Sequence, residues 1–334
     1  MQPFNFKVVR SDDKDSQVPV SVAGQTMVDV QQLLTDIGAL MIRRELRLQN
    51  DMPDDLMRRF CLSMDLSKGR DVGAVTEGED TLMLDALNQL FRELDLANMP
   101  EARDAPSNHL EALSRRKVSK DLLALSEHLE GYDLFYGSGP DLRKFRLNRR
   151  DRIEGEAEDR SRSFPGALIG IISHDPVRKH RWVISNGGSE VPISFAGNIA
   201  PSDVPLFAKS GPLIASGMVM VDDDGRVSEL RSVIGCYSFP NVKFHRVISA
   251  ERDIPLLNPL EATPGYDQHK GLWTLSNDDL GISVSKPSWD ACVMSFHEYF
   301  VFLWETYAES DDEFEGEEQE IRELLLSMIP VTAE

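Results

Sequence analysis

The spacing of apolar residues in the first third of the chain predicts helices. Apolar side chains recur every three or four positions there, which places them on one face of a helix. Thr26 stands at the start of the first such run and can cap it, with Asp29 at the third helical position. Three segments carry the pattern: residues 26–48, 81–97 and 107–130. We predict an amphipathic helix for each of them.

Three shorter runs alternate between apolar and polar residues, as expected of strands with one buried face. They are PFNFKVV at 3–9, VPVSV at 18–22 and RFCLSMDL at 59–66. Residues 1–136 are therefore predicted to form a mainly helical α/β domain. Glycine and proline become frequent in GYDLFYGSGPDL, residues 131–142, which predicts a boundary. We assign residues 137–163 to a hinge and basic segment.

Beyond the hinge the pattern becomes that of short strands and turns. Strands are predicted at 164–173, 181–185, 191–195, 212–221 and 226–239, with one short helix at 201–211. The tetrapeptides NGGS at 186–189 and DDDG at 222–225 are typical of hairpin turns. Three strands, a helix and a hairpin follow one another in an OB-fold. Residues 164–250 are therefore predicted to form a small antiparallel β-barrel that is OB-like.

The last part of the chain predicts a pair of helices. Residues 251–286 show few regular patterns and are expected to form an extended segment, and Pro287 can occupy the first turn of a helix. A stripe at helical spacing follows, and further apolar residues off the stripe favour a helix buried on most sides. The stripe consists of Trp289, Val293, Phe296, Phe300, Trp304 and Tyr307, and the others are Cys292, Tyr299 and Phe302.

A final amphipathic helix is predicted at 317–329, so that residues 287–334 form a C-terminal helical pair with an acidic loop. The predicted fold class is α+β: a mainly helical N-terminal domain, the barrel in the middle and the helical pair at the end. The chain has 334 residues, a length typical of two or three domains. This order of elements resembles that of bacterial cytoplasmic proteins, which implies that any complex the chain joins is bacterial and cytoplasmic.

Charge narrows the choice of partner. The net charge is −20, which on average repels nucleic acid and anionic membranes and attracts basic proteins. Residues 309–323 alone hold nine acids and one arginine. A polar loop leading into a helix N-terminus explains part of this excess. The alternative is an acidic lip that meets a basic partner, formed by Glu313, Glu315, Glu317 and Glu318 beside Trp304 and Tyr307.

A basic stretch favours a different partner. Residues 143–152 contain six bases and one acid, and the loop before residue 182 adds further bases beside a tryptophan. Arginines next to aromatic rings can contact phosphates while bases stack. The candidate contacts with single-stranded nucleic acid or a nucleotide are Arg149, Arg150, Arg178, Lys179, Arg181 and Trp182. The DDDG turn is acidic and opposes this interpretation.

No known catalytic or metal-binding motif is complete in this sequence. Cys61, Cys236 and Cys292 lack the spacing of a zinc site or a disulfide framework. His297-Glu298 has no second histidine at zincin spacing, and DDDG lacks the ligand positions of an EF-hand. No Walker loop or GxGxxG occurs, so no cofactor is predicted.

We therefore expect a non-catalytic interaction subunit, adaptor or inhibitor with a protein partner. The first alternative is a nucleic-acid or nucleotide binder, and the second is a hydrolase with an unrecognised site. The start of the chain lacks the apolar core of a signal peptide, and the longest apolar run is too short to span a membrane. A cytoplasmic protein without membrane contact is expected.

Overall fold

The computed structural model describes residues 4–12, 17–49, 52–62, 72–74, 81–99, 109–138, 141–148, 150–158, 163–178, 180–221 and 227–329. The chain forms two compact units. Unit 1 consists of residues 1–41 and 52–160, and unit 2 consists of residues 42–51 and 161–334. The structure thus has a mixed α/β fold with an N-terminal helical region, a closed barrel and C-terminal helices, which confirms the prediction at that level.

Unit 1 combines helices with a small antiparallel sheet. The sheet has the strand order β2-β1-β3-β4, in which β3 pairs with β1 along its full length. The elements are β1 (Phe4–Arg10), α1 (Val20–Leu46, whose last residues belong to unit 2), α2 (Asp54–Met57), β2 (Val72–Ala74), α3 (Thr81–Asn98), α4 (His109–His128), β3 (Tyr132–Ser138), β4 (Arg143–Lys144) and α5 (Arg150–Glu158). The predicted strand at 3–9 and the predicted helices at 81–97 and 107–130 are confirmed.

The predicted strand at 18–22 is wrong, because α1 already begins at Val20. The amides of Val22 and Ala23 donate to the carbonyl of Pro19, which starts the helix six residues before Thr26. Thr26 is therefore not a cap. Its Oγ1 donates to the carbonyl of Val22 at 2.9 Å, from a buried position inside the helix.

The predicted strand at 59–66 is also wrong where it is described, since Arg58–Phe60 forms a turn of 3-10 helix. Residues 63–66 lie outside the described residues. Phe60 is fully buried, and its ring lies on Gly38 of α1 so closely that a Cβ at Gly38 would be 2.5 Å from Cζ. Glycine is needed there for contact between ring and helix.

The glycine-rich stretch 131–142, predicted as a boundary, contains the strand β3. Tyr136 in its middle is fully buried, and its hydroxyl donates to Asp95 Oδ1 at 2.6 Å. Glycines at its ends suggested a break in the sequence, whereas the intervening residues complete the sheet. The division of the chain into five segments stays a prediction.

Unit 2 contains a closed five-stranded barrel with the order β5-β6-β7-β9-β8, in which β8 pairs back onto β5. Its elements are β5 (Ser163–His174), β6 (Trp182–Ser185), β7 (Glu190–Phe195), α6 (Val204–Lys209), β8 (Leu213–Val221) and β9 (Val227–Ser238). The predicted strands and short helix are confirmed. The barrel is not wholly antiparallel as predicted, because β7 and β9 run parallel. The segment that contains α6 connects β7 to β8, and β8 and β9 then close the barrel between β5 and β7. The predicted turn at 222–225 lies outside the described residues.

A second sheet follows, with the order β10-β11-β12-β13. Its strands are β10 (Val242–Ile248), β11 (Asp253–Asp267), β12 (Leu272–Asn277) and β13 (Ile282–Lys286). The predicted extended segment at 251–286 is thus three strands of a sheet. Residues 253–262 of β11 pair with β10, and residues 263–267 pair with β12. Among the described strands, each half of β11 pairs along one edge only, so a proline nitrogen can face the other edge without the loss of a sheet hydrogen bond.

The C-terminal helices are α7 (Trp289–Leu303) and α8 (Glu317–Met328), joined by a π-helical segment at Trp304–Ala308 and the acidic loop. Trp289, Phe296 and Phe300 are fully buried and form the core between α7 and the second sheet. The prediction that α7 is buried on most sides is wrong for Tyr299 and Phe302, which are exposed. The sheet covers only one face of the helix.

The barrel and the start of α7 meet at the β6–β7 turn. Gly187 has φ +88°, and a Cβ on it would lie 1.8 Å from the carbonyl oxygen of Pro287. The amide of Trp289 donates to the carbonyl of Asn186 at 2.8 Å, and its Nε1 donates to the carbonyl of Arg47 at 3.2 Å. One turn of α7 therefore binds two chain segments that are distant in sequence.

Candidate functional site

An open groove of about 450 Å³ lies on the barrel, where β6 begins and β7 ends. Its lining comes from the β5–β6 loop, from adjacent positions of β6 and β7, and from β9. Trp182 and Ile193 are paired across β6 and β7, which places the loop beside the end of β7. The lining residues are Arg178, His180, Arg181, Trp182, Ile193, Ser194, Phe195 and Glu229.

Asp175 organises the β5–β6 loop. Its Oδ1 accepts the amides of Val177 at 2.8 Å and Arg178 at 2.9 Å, and its own amide donates to the carbonyl of Arg181 at 2.8 Å. These backbone hydrogen bonds, and then the charges of the two arginines, lower the pKa of Asp175. The carboxylate thus holds the loop that presents both guanidinium groups.

Arg178 and Arg181 form no ion pair with a described carboxylate. Within the described ranges, no carboxylate lies within 4.0 Å of either guanidinium group. Glu229, the acid of the groove, is engaged by Arg231, whose Nε donates to Glu229 Oε2 at 2.8 Å. The groove therefore offers two guanidinium groups without a close ion pair to a described carboxylate, and such groups suit an anion such as phosphate.

Aromatic rings flank these charges. The rings of His174 and Trp182 are stacked with centroids 3.8 Å apart and planes inclined by 28°. Phe195 stacks against Phe207 of α6 at 6.4 Å. A half-buried tryptophan beside two arginines is the combination on which an unpaired base stacks while its phosphates meet the cations.

The structure brings together three of the six residues predicted to contact nucleic acid. Arg178, Arg181 and Trp182 line the groove. Arg150 belongs to unit 1, where its guanidinium pairs with Glu154 at 2.7 Å and Glu127 at 3.8 Å. Arg149 and Lys179 lie outside the described residues. Ile193, Ser194 and Phe195 were missed, because only the register between β6 and β7 brings them there.

The residues predicted to bind a protein partner separate into two groups. Glu313, Glu315, Glu317 and Glu318 are exposed, and no lysine or arginine of the described chain lies within 4.0 Å of them. Trp304 and Tyr307 are half-buried and turn towards the protein itself. Trp304 Nε1 donates to Glu309 at 3.0 Å, and the ring of Tyr307 contacts that of Phe314 with centroids 5.2 Å apart.

The acidic loop is folded back on α8. The guanidinium of Arg322 lies 5.5 Å from the ring centroid of Phe314, and its Nη1 donates to the carbonyl of Asp312 at 2.8 Å. Arg252 forms a bidentate pair with Glu309 at 3.1 and 2.9 Å. These contacts hold the backbone of the loop, while Glu313 and Glu315 in the loop and Glu317 and Glu318 at the start of α8 remain exposed.

A second polar cluster lies between α1 and α4 of unit 1. Lys117 Nζ pairs with Asp36, and Asp121 is within hydrogen-bonding distance of Asp36. Burial, then the hydrogen bond and charge of Asp36, raise the pKa of Asp121 to about 7. The Oδ2 atoms of Asp36 and Asp121 are both buried and meet no donor among the described residues. A pair of carboxyl groups has a donor only when one member is protonated, and the raised pKa of Asp121 makes it the group that can donate a proton to Asp36.

Two of the three thiols and the buried histidine are poor candidates for nucleophilic or acid–base chemistry. Burial raises the pKa of Cys236 and of Cys292 to about 11, so both remain thiols at neutral pH. Burial lowers the pKa of His297 to about 3, and its Nδ1 accepts the amide of Ile248 at 3.1 Å. Across the described part of the chain, no three histidine, cysteine or acidic side chains form a group that could hold a metal ion.

The helices of the described ranges include none with the length and apolarity needed to cross a membrane. Comparison of the chain with protein-family models, with curated proteins and with solved structures found no match.

Proposed function

We propose that this protein binds single-stranded nucleic acid in the groove of its barrel. The observation that carries the proposal is the juxtaposition of Arg178, Arg181 and Trp182 at one opening, with both guanidinium groups free of ion pairs to described carboxylates. Phosphates would meet the arginines, and one base would stack on the indole ring. The net charge of −20 opposes approach from a distance, so we expect affinity to come from these local contacts.

We further propose that the barrel is OB-like. An order of first, second, third, fifth and fourth strand, with the third and fifth parallel, fits that topology. OB-folds bind oligonucleotides on the face of their second and third strands and with the loop between the first two. Here those elements are β6, β7 and the Asp175–Arg181 loop, which supports the placement of the ligand.

A labelled oligothymidine and its RNA counterpart test the proposal by fluorescence anisotropy. Affinity should fall as salt is raised from about 0.05 M to about 0.2 M. Trp182→Ala should weaken binding about fivefold to hundredfold, because a stacked base contributes about 1–3 kcal/mol. Arg178→Ala should reduce the slope of log affinity against log salt by about 0.7.

Arg44→Ala is the matched control, since Arg44 is an exposed arginine elsewhere in unit 2. It should leave affinity and salt slope unchanged. No binding of either oligonucleotide at low salt would refute the proposal. Equal losses in the Arg44 and Arg178 variants would do the same, because they would indicate attraction by diffuse charge.

A second candidate function is that of a non-catalytic subunit whose acidic lip meets a basic protein. Its motivation is the exposure of Glu313, Glu315, Glu317 and Glu318 without a described cation partner. Tagged protein purified from its native host after nuclease treatment should retain one stoichiometric partner. Exchange of the four glutamates for glutamine should release that partner, and its retention by the variant would contradict this function.

A further inference from the structure

The outward face of α7 carries two aromatic side chains in mutual contact. Tyr299 is 39% exposed and Phe302 is 56% exposed, and their ring centroids lie 6.0 Å apart. The opposite face of the helix is fully buried at Phe296 and Phe300. Single exposed apolar residues are ordinary, whereas two touching rings on one helical turn form a continuous apolar surface.

Carboxylates border this aromatic pair. Glu298 precedes Phe302 by four residues and Glu305 follows it by three, so all three share one side of the helix. Residues 289–321 contain no lysine or arginine. Arg252 reaches in from the second sheet to Glu305 at 3.4 Å and to Glu309 at 2.9 Å. No cation of the described chain lies within 4.0 Å of Glu298.

We propose that this face of α7 is a docking surface for a cationic amphipathic helix of another protein. The apolar side of such a helix would cover Tyr299 and Phe302, and its lysines or arginines would meet Glu298 and the neighbouring acids. Helices bind in this way by apolar anchors at spacings of three and four residues. Aromatic anchors with complementary charges at the rim are the usual composition of an interface.

A second copy of this chain is the poorer occupant of the surface. Two α7 faces in contact would bring Glu298 of one copy, which has no described cation partner, towards that of the other. Like charges facing each other across an interface are destabilising, and the net charge of −20 already opposes self-association. The charge of the face thus selects a basic partner. The inference is independent of the barrel groove, which lies on other elements.

Three labelled peptides of about four helical turns test the inference by anisotropy at about 0.15 M salt. The first is an amphipathic peptide of leucine and lysine, the second has the same composition in scrambled order, and the third has glutamate in place of lysine. The first should bind the full chain about tenfold more tightly than either of the others. Equal binding of the first two would overturn the inference, since it would show attraction to net charge alone.

Matched variants place the peptide on α7. Phe302→Ser should weaken binding of the first peptide about tenfold, whereas Leu206→Ser removes an equally exposed apolar side chain from α6 (62% exposed) and should have no effect. Glu298→Gln should weaken binding about threefold and Glu251→Gln, at another exposed acid, should not. Unchanged affinity of the Phe302 variant would overturn the inference. So would sedimentation of the wild type as a dimer that Phe302→Ser dissociates, because a second copy would then occupy the face.

Discussion

Exchange of Asp121 for asparagine should stabilise unit 1 at alkaline pH. Protonated Asp121 donates a hydrogen bond to Asp36 in a partly buried contact, and above neutral pH that proton is lost. Two carboxylates then face each other with Lys117 as their cation. Asparagine is close in shape to a protonated aspartic acid, and its amide can donate to Asp36 at every pH.

The magnitude follows from the raised pKa of Asp121, about 7 in the folded chain against 3.8 for the unfolded side chain. Between these values the folded state binds more protons than the unfolded state, so the free energy of unfolding falls as the pH rises. The stabilisation is complete below the unfolded value and is lost as the pH passes through the folded value. Between about pH 5 and about pH 8 the loss amounts to about 2 kcal/mol, because solvent screens part of the interaction of this incompletely buried carboxyl group.

Urea unfolding of the wild type and the Asp121→Asn variant at both pH values measures this loss. All four tryptophans lie in unit 2, so tryptophan fluorescence follows that unit and far-UV circular dichroism adds the helices of unit 1. The variant should gain about 2 kcal/mol relative to the wild type between the acidic and the alkaline condition.

The matched control is Asp141→Asn, at an exposed aspartate of unit 1, whose difference from the wild type should not change with pH. A constant difference between the Asp121 variant and the wild type would refute the reasoning. A variant that is less stable than the wild type at the alkaline pH would also refute it.

Three further changes test other parts of the fold. Between about pH 7 and about pH 5 the wild type should lose about 2 kcal/mol of its free energy of unfolding, because a pKa of about 3 keeps His297 neutral in the folded chain while the unfolded imidazole protonates. His297→Asn should abolish this loss, which urea unfolding followed by tryptophan fluorescence measures. Gly187→Ala should cost at least about 2 kcal/mol, measured in the same way, since its Cβ would overlap the Pro287 carbonyl and its φ is positive. Gly38→Ala should destabilise unit 1 by about 1–3 kcal/mol in circular dichroism despite the better helix propensity, and Phe60→Leu should recover part of that loss. An unchanged pH dependence in the first variant, or wild-type stability in either of the others, would contradict the corresponding contact.

The elements that sequence patterns predicted well are those that carry their own periodicity. The helices α3 and α4 repeat the apolar spacing over many turns, and the barrel strands are separated by turn residues. The failures are local ambiguities. Five alternating residues at 18–22 cannot be distinguished from the start of a helix. The strand β11 was not predicted because it contains three prolines. A proline costs a sheet hydrogen bond only where its nitrogen faces the paired edge, and the sequence does not indicate which edge each half of the strand uses.

The candidate sites also divide into those that the sequence indicates and those that depend on packing. The sequence placed Arg178, Arg181 and Trp182 together because they are neighbours in the chain. Contact between Asp36 and Asp121 depends on how two helices pack, and nothing in either helix alone indicates it. The outward position of Phe302 depends on which side of α7 the second sheet covers, and a helix that is apolar nearly all round favours no side.

The covered turn at Gly187 has a consequence for the order of assembly during synthesis. The segment that covers it, Pro287 to Trp289, is made about 100 residues after the turn itself. At the usual rate of translation this delay is roughly 5 to 20 seconds. Arg47, whose carbonyl accepts a hydrogen bond from Trp289 Nε1, is synthesised earlier still. The β6–β7 turn therefore stays uncovered throughout that interval, although the five strands that close the barrel are all made before it ends.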